Sequence, residues 1–138
     1  MRNSNPAPQK PSNASNGTIA APRTTFHGLF DRSLSFGGRD PFRNSARMLA
    51  AAKKIDLATP LDFVSTCDII GGNSGSPVVD REGRLVGLVF DGNIESLVGR
   101  FIFDGTANRA VAVHAAAIAT ALRDIYGAGY LLKEMQLR

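Results

Sequence analysis

The stretch from Gly71 to Phe90 does most to restrict how this chain folds. Pro77-Val78-Val79 and Leu85-Val86-Gly87-Leu88-Val89-Phe90 are short apolar runs, and Asp80-Arg81-Glu82-Gly83 between them is a turn signal. Two such runs across a short polar turn predict a β-hairpin. Directly before it, Gly71-Gly72-Asn73-Ser74-Gly75-Ser76 holds a serine among small residues. Glycine lets the backbone take positive φ and come close to a ligand. Backbone N–H groups brought that close are what a developing oxyanion needs. Ser74 is therefore a candidate nucleophile, with the N–H groups of Gly72 and Ser74 as its oxyanion hole.

Other turns of this composition have different surroundings. A phosphate-cradling loop ends in Gly-Lys-Ser/Thr, and no lysine stands here. A hydrolase elbow of the α/β type has glycine two residues after the serine and then a helix. Here that position is Ser76, and a strand-like run follows. A plain tight turn between strands, which Gly, Ser and Asn make routinely, stays open on these residues alone.

The remaining signals describe one β-rich domain with helices at its C-terminal end. Strands are expected over Thr24–Phe30, Phe63–Cys67, Arg100–Phe103 and Arg109–Val113, and a Gly/Pro-punctuated loop over Ser35–Arg43. Helical spacing marks Ser45–Ile55 and Ala115–Tyr126, with a last short helix over Tyr130–Leu137. No internal repeat is visible. The 138 residues are enough for one domain. A β-rich core of about eighty residues buries only some 60% of its surface and is marginal alone.

The net charge of +4 is unevenly placed. Residues 1–56 hold nine Lys/Arg against three Asp/Glu, giving +6, and the rest hold seven against nine, giving −2. The cations are scattered and lack interleaved aromatics, which argues against a nucleic-acid surface. No apolar stretch is long enough to span a bilayer. The N-terminus has no apolar core of a secretory signal. Its Pro, Asn and Ser content predicts a disordered, basic and polar tail over residues 1–17, with the folded part over 18–138. Two glycosylation-type patterns, Asn13-Ala14-Ser15 and Asn16-Gly17-Thr18, fall in this tail and are read as coincidence. The single cysteine, Cys67, excludes an internal disulfide and is expected to be a buried, inert thiol.

Ser65-Thr66-Cys67-Asp68-Ile69-Ile70-Gly71-Gly72-Asn73-Ser74-Gly75-Ser76-Pro77, followed by Phe90-Asp91-Gly92-Asn93, resembles the bacterial dipeptidyl-peptidases seven and eleven. The resemblance extends from Thr24-Thr25-Phe26-His27-Gly28 to Tyr126-Gly127-Ala128 and covers most of 18–138. It implies a chymotrypsin-like double β-barrel, this chain forming part of the second barrel, which carries the nucleophile. It implies a serine peptidase that releases dipeptides from the free N-terminus of oligopeptides, needs no cofactor, and works in the periplasm or at the cell surface. The family's triad runs His, Asp, Ser, with the first two far upstream. The histidines here are His27 and His114, and neither stands at the family's catalytic position. The expectation is a C-terminal portion of a longer peptidase, whose missing N-terminal part would be its partner.

The same resemblance assigns further roles. Asp91 is expected to bind the substrate's α-ammonium and Gly92 to line the side-chain pocket. Acid-preferring members carry arginine at the position of Gly92, so glycine implies an apolar preference. Asn73 replaces an aspartate that in many trypsin-like enzymes pairs with a new N-terminus. Asp68 stands where enzymes cleaving after basic residues keep their specificity acid, but it is expected instead to bond backbone N–H groups of the turn. The alternative to an exopeptidase is a non-catalytic remnant or binding module that keeps the peptidase fold.

Overall fold

The computed structural model describes residues 12–13 and 19–135. Ser12–Asn13 (β1) pairs antiparallel with Ile19–Ala20 (β2). The rest of the expected tail, with most of both glycosylation-type patterns, lies outside the described residues. The main element is a five-stranded antiparallel sheet of Arg23–Thr25 (β3), Pro60–Ser65 (β4), Pro77–Val79 (β5), Leu85–Gly92 (β6) and Ala110–His114 (β7). Its order is β3-β4-β7-β6-β5. β3 and β5 are its edges, so the described residues make an open sheet.

The expected hairpin is β5–β6, with Val78 opposite Gly87. Its turn is held by Asp80, whose carboxylate accepts from the Glu82 and Arg84 N–H groups at 3.0 and 2.9 Å and from Arg84 Nε at 2.7 Å. Gly83 takes the positive φ the turn requires. Gly87 is glycine for a different reason. A Cβ there would run into the Phe63 ring and the Val113 carbonyl.

Two expected strands are not strands. Thr24–Phe30 is β3 only to Thr25, and Phe26–Ser35 is a helix (α1). Thr25 caps it, its hydroxyl accepting from Gly28 N–H at 3.3 Å. Phe26, Leu29, Phe30 and Ser33 follow helical spacing, so one face turns inward. Arg100–Phe103 is likewise no strand, because Ile94–Arg100 is a 3-10 helix that runs into a turn. Asn93 organises this segment through hydrogen bonds to Glu95, Ala107 and Arg109. The second helix (α2) covers Ala46–Ala51, capped by Ser45, and ends in a turn well short of the expected Ile55. The C-terminal helix is α over Ala115–Thr120 (α3) and π over Ala121–Ile125, followed by Gly129–Glu134 (α4).

Two apolar clusters hold these parts together. Phe26, Ala51, Ile55 and Ala117 join the helices to the sheet, with Leu29, Leu61 and Val113 beside them. Val89, Ala110 and Ala112 form the second cluster, with Phe63, Ile69 and Val78. Adjacent Ala112 and Val113 go to different clusters, as strand alternation demands.

Candidate active site

The turn before β5 is tied to β6 by backbone. Gly75 N–H donates to the Val89 carbonyl at 2.7 Å, and Val89 N–H to the Ser76 carbonyl at 3.0 Å. Gly72 and Gly75 have φ of 102° and 86°, where other residues are strained. Asn73 braces the turn from within, its Oδ1 accepting from Ile70 N–H at 2.8 Å. Among the described residues, the N–H groups of Gly72 and Ser74 donate to no acceptor. Ser74 is exposed, and its hydroxyl donates to the Phe90 carbonyl at 3.3 Å.

That carbonyl is available because β6 carries a bulge. Val89 pairs with Ala112 and Asp91 with Val111, so Phe90 is the extra residue. Without the bulge, Asp91 would share a face with buried Gly87 and Val89. The extra residue breaks the alternation, and Asp91 is exposed. Its carboxylate accepts from Gly92 N–H at 2.8 Å.

Ser74, Asp91 and Gly92 thus line a single cleft of about 530 Å³. Gly71 and Asn73 line it too, whereas Gly72 stands beside it. Ile69, Ile70, Leu97 and Phe101 give it apolar walls, and among the described residues Asp91 is its one charged lining residue. The space a side chain at Gly92 would enter is not free, because a Cβ there meets Ser96 Oγ. That hydroxyl is fixed on the Asn93 carbonyl at 2.6 Å.

Other candidate residues lie elsewhere. His27 is exposed on α1. His114 caps α3, its Nδ1 accepting from Ala116 N–H at 3.0 Å, and its ring meets Phe63 edge-on at 5.6 Å. Burial, helped by the Arg23 charge, holds this imidazole below its ordinary pKa. Neither histidine lines the cleft. Asp68 lines a second cavity behind the turn and makes no hydrogen bond among the described residues, contrary to the expected turn-bonding role, which Asn73 fills instead. Cys67 is exposed, not buried, because β4 ends at Ser65 and the chain leaves the sheet before reaching it. Among the described residues no group of His, Cys, Asp and Glu is placed to hold a metal ion.

The family model of Peptidase S46 matches residues 12–137. The chain belongs to this family. Dipeptidyl-peptidase 7 of Phocaeicola vulgatus is 42% identical over 78 residues, 56% of this chain and 11% of that protein. The Asp/Glu-specific dipeptidyl-peptidase of Shewanella putrefaciens is 40% identical over 80 residues, 58% of this chain and 11% of that protein. The chain therefore spans about a tenth of these relatives' length. Porphyromonas endodontalis DPP11 shares the fold, with a TM-score of 0.79 at 22% identity over 94% of this chain and 20% of that one. DPP11 has also been solved in complex with the dipeptides Arg-Asp and Arg-Glu. Membership of the S46 family agrees with the sequence resemblance, and the mainly β, antiparallel sheet with a few helices agrees with the β-rich reading of the residues.

Two features of this S46 site were missed in the sequence. The bulge at Phe90 had no marker beyond two strand residues, Phe90 and Asp91, that interrupt an alternating pattern. Ser96, which fills the space beside Gly92, is an ordinary serine in a turn-rich segment and carried no signal.

Proposed function

We propose that this chain is the nucleophile-bearing part of a serine dipeptidyl peptidase, forming part of the second barrel of a chymotrypsin-like double barrel. The observation that carries this reading is the single cleft lined by Ser74, Asp91 and Gly92. Ser74 Oγ attacks the carbonyl of the second substrate residue. The oxyanion is received by the unpartnered N–H groups of Gly72 and Ser74. Asp91 receives the α-ammonium and fixes the distance from the N-terminus to the scissile bond, so dipeptides leave. The apolar walls, with the Asp91 carboxylate among them, favour an apolar side chain at the second position. A serine hydroxyl without a base is a weak nucleophile. Neither histidine is among the cleft's described lining residues, and the matched relatives are far longer than this chain, which supports a base and orienting acid supplied by another part of the peptidase.

The test is a chimera in which this chain replaces the matching segment of the Phocaeicola vulgatus enzyme. It is expected to release dipeptides from free N-termini and to lose all turnover in Ser74→Ala. A folded but inactive chimera that still binds peptides would favour the binding-module reading. Dipeptide release by the isolated chain, abolished in Ser74→Ala, would overturn the external base.

A further inference from the structure

One wall of the cleft has little packing of its own. Ser96, Leu97 and Phe101 line the cleft, yet Ile94, Leu97, Val98 and Phe101 are all largely exposed. Burial therefore contributes little to where this wall stands. At its far end Gly99 lies close against the buried Asn108. At its near end, beside Gly92, it is held by hydrogen bonds. Among the described residues, those that join 94–103 to the rest of the chain all end on Asn93.

Asn93 uses both ends of its carboxamide. Just past the end of β6, its backbone N–H donates to the Arg109 carbonyl at 2.9 Å, and its Oδ1 accepts from the Arg109 N–H at 2.8 Å. The side chain thus extends the β6–β7 pairing by one residue. Its Nδ2 donates to the Ala107 carbonyl at 2.8 Å and to Glu95 Oε2 at 2.7 Å. Its backbone carbonyl accepts from the Ser96 hydroxyl at 2.6 Å and from the Ser96 N–H at 3.0 Å. A carboxamide supplies two donors and an acceptor, whereas an ionised carboxylate supplies acceptors only. Aspartate, the nearest in shape, would face Ala107 and Glu95 with no proton to give. Asn93 is not among the lining residues of the cleft. It acts on the cleft through Gly92 before it and through Ser96, Leu97 and Phe101 after it.

We propose that Asn93 is a positioning residue for the side-chain pocket: its carboxamide holds the 96–101 wall against Gly92 and so sets how strongly the second substrate residue is selected by size. Without those bonds the wall moves away from Gly92. A large apolar side chain then loses its contact, while a small one, which does not reach the wall, loses little. The nucleophile turn is fastened separately, by Gly75 N–H on the Val89 carbonyl and Val89 N–H on the Ser76 carbonyl. Selection of the side chain therefore depends on Asn93, and attack by Ser74 does not. The positioning stands on the hydrogen bonds alone, and the selection rests on the dipeptidyl-peptidase reading.

Two measurements test these two parts. In the 138-residue chain, Asn93→Asp is expected to raise hydrogen exchange at the Ser96 and Arg109 amides about tenfold, leaving Gly75 and Val89 unchanged. No rise, or an equal rise at all four, would overturn the positioning. In the chimera described above, the kcat/KM ratio for leucine over alanine at the second substrate position should fall about tenfold in Asn93→Asp. The fall should come chiefly from a higher KM for the leucine substrate. Adding Glu95→Gln gives the new carboxylate a donor and should recover about threefold of that loss. Equal losses on both substrates, an unchanged ratio, or no recovery would each overturn the selection. Were Asn93→Asp not to fold, Glu95→Ala removes one partner of the intact carboxamide and should lower the same ratio about threefold. An unchanged ratio there would overturn the proposal as well. A chimera that keeps Asn93 and still releases no dipeptides fails the peptidase reading instead, and exchange in the chain then decides the positioning by itself.

Discussion

The helical region and the segment that follows β6 are finished in opposite ways. Where α1, α2 and α3 pack, Phe26, Ala51, Ile55 and Ala117 are buried to 2–6% exposure. Where the 3-10 segment follows β6, Ile94, Leu97 and Phe101 are 77%, 74% and 89% exposed. Apolar side chains gain free energy only when water is excluded from them. The helical side gains it within this chain, whereas the cleft side gains it only when something else covers those residues. Burial is thus divided between the two regions.

Truncation on each side breaks or sharpens that division most directly. Phe26→Ala should destabilise the chain by roughly 3–5 kcal/mol, the usual cost of emptying an aromatic core position. Phe101→Ala should stay within about 0.5 kcal/mol, as exposed positions do. Urea unfolding followed by circular dichroism reads both. Comparable losses would mean that the cleft side also carries the fold.

Asp91→Ala in the chimera tests recognition on the open side. Removing one member of a charge pair desolvated by bound substrate costs roughly 2–5 kcal/mol, or roughly 30- to several-thousand-fold in kcat/KM. That loss is expected for free N-termini, with little change for N-acetylated substrates. Equal losses on both would make Asp91 a structural residue.

Gly92→Arg is expected to act less strongly, raising the relative rate on Asp and Glu substrates about tenfold through a charge-assisted pair. Ser96 crowds the new side chain, so Ser96→Gly in the same chimera should enlarge the effect. An unchanged preference series in both variants would remove Gly92 from the pocket.

The smallest effect belongs to the helical side. The folded chain lowers the His114 pKa through burial first and the Arg23 charge second, so it favours the neutral imidazole. The stability this contributes is complete above the unfolded value of about 6.5. It is lost as pH falls through that value towards the lower folded one. The melting temperature should therefore dip slightly between pH 7 and 5. His114→Asn keeps an acceptor at the helix cap without taking up a proton, so the dip should disappear. A dip of the same size in that variant would assign it to other groups.

Much of this was legible in the residues. The β5–β6 hairpin, β7 and the glycine turn are local features, set by short apolar runs and by Gly and Asp at turn positions. The resemblance carried by 65–77 and 90–93 agrees with membership of Peptidase S46. The misreadings were competitions between periods. Thr24 and Phe26 alternate like a strand, yet Phe26, Leu29, Phe30 and Ser33 also form a helical face. The Thr25 cap and the packing of Phe26 against Ala51, Ile55 and Ala117 select the helix.

By itself the sequence determined which residues form the sheet's best strands and which turn bears the exposed serine, because those depend on neighbours in the chain. Only the tertiary structure decided what surrounds that serine. Asp91 enters the cleft through a bulge defined by its pairing with β7, twenty residues further on. Ser96 fills the space beside Gly92 because Asn93 folds the chain back with bonds to Ala107 and Arg109. Each is a relation between segments far apart in sequence, and such relations exist only once the sheet has brought those segments together.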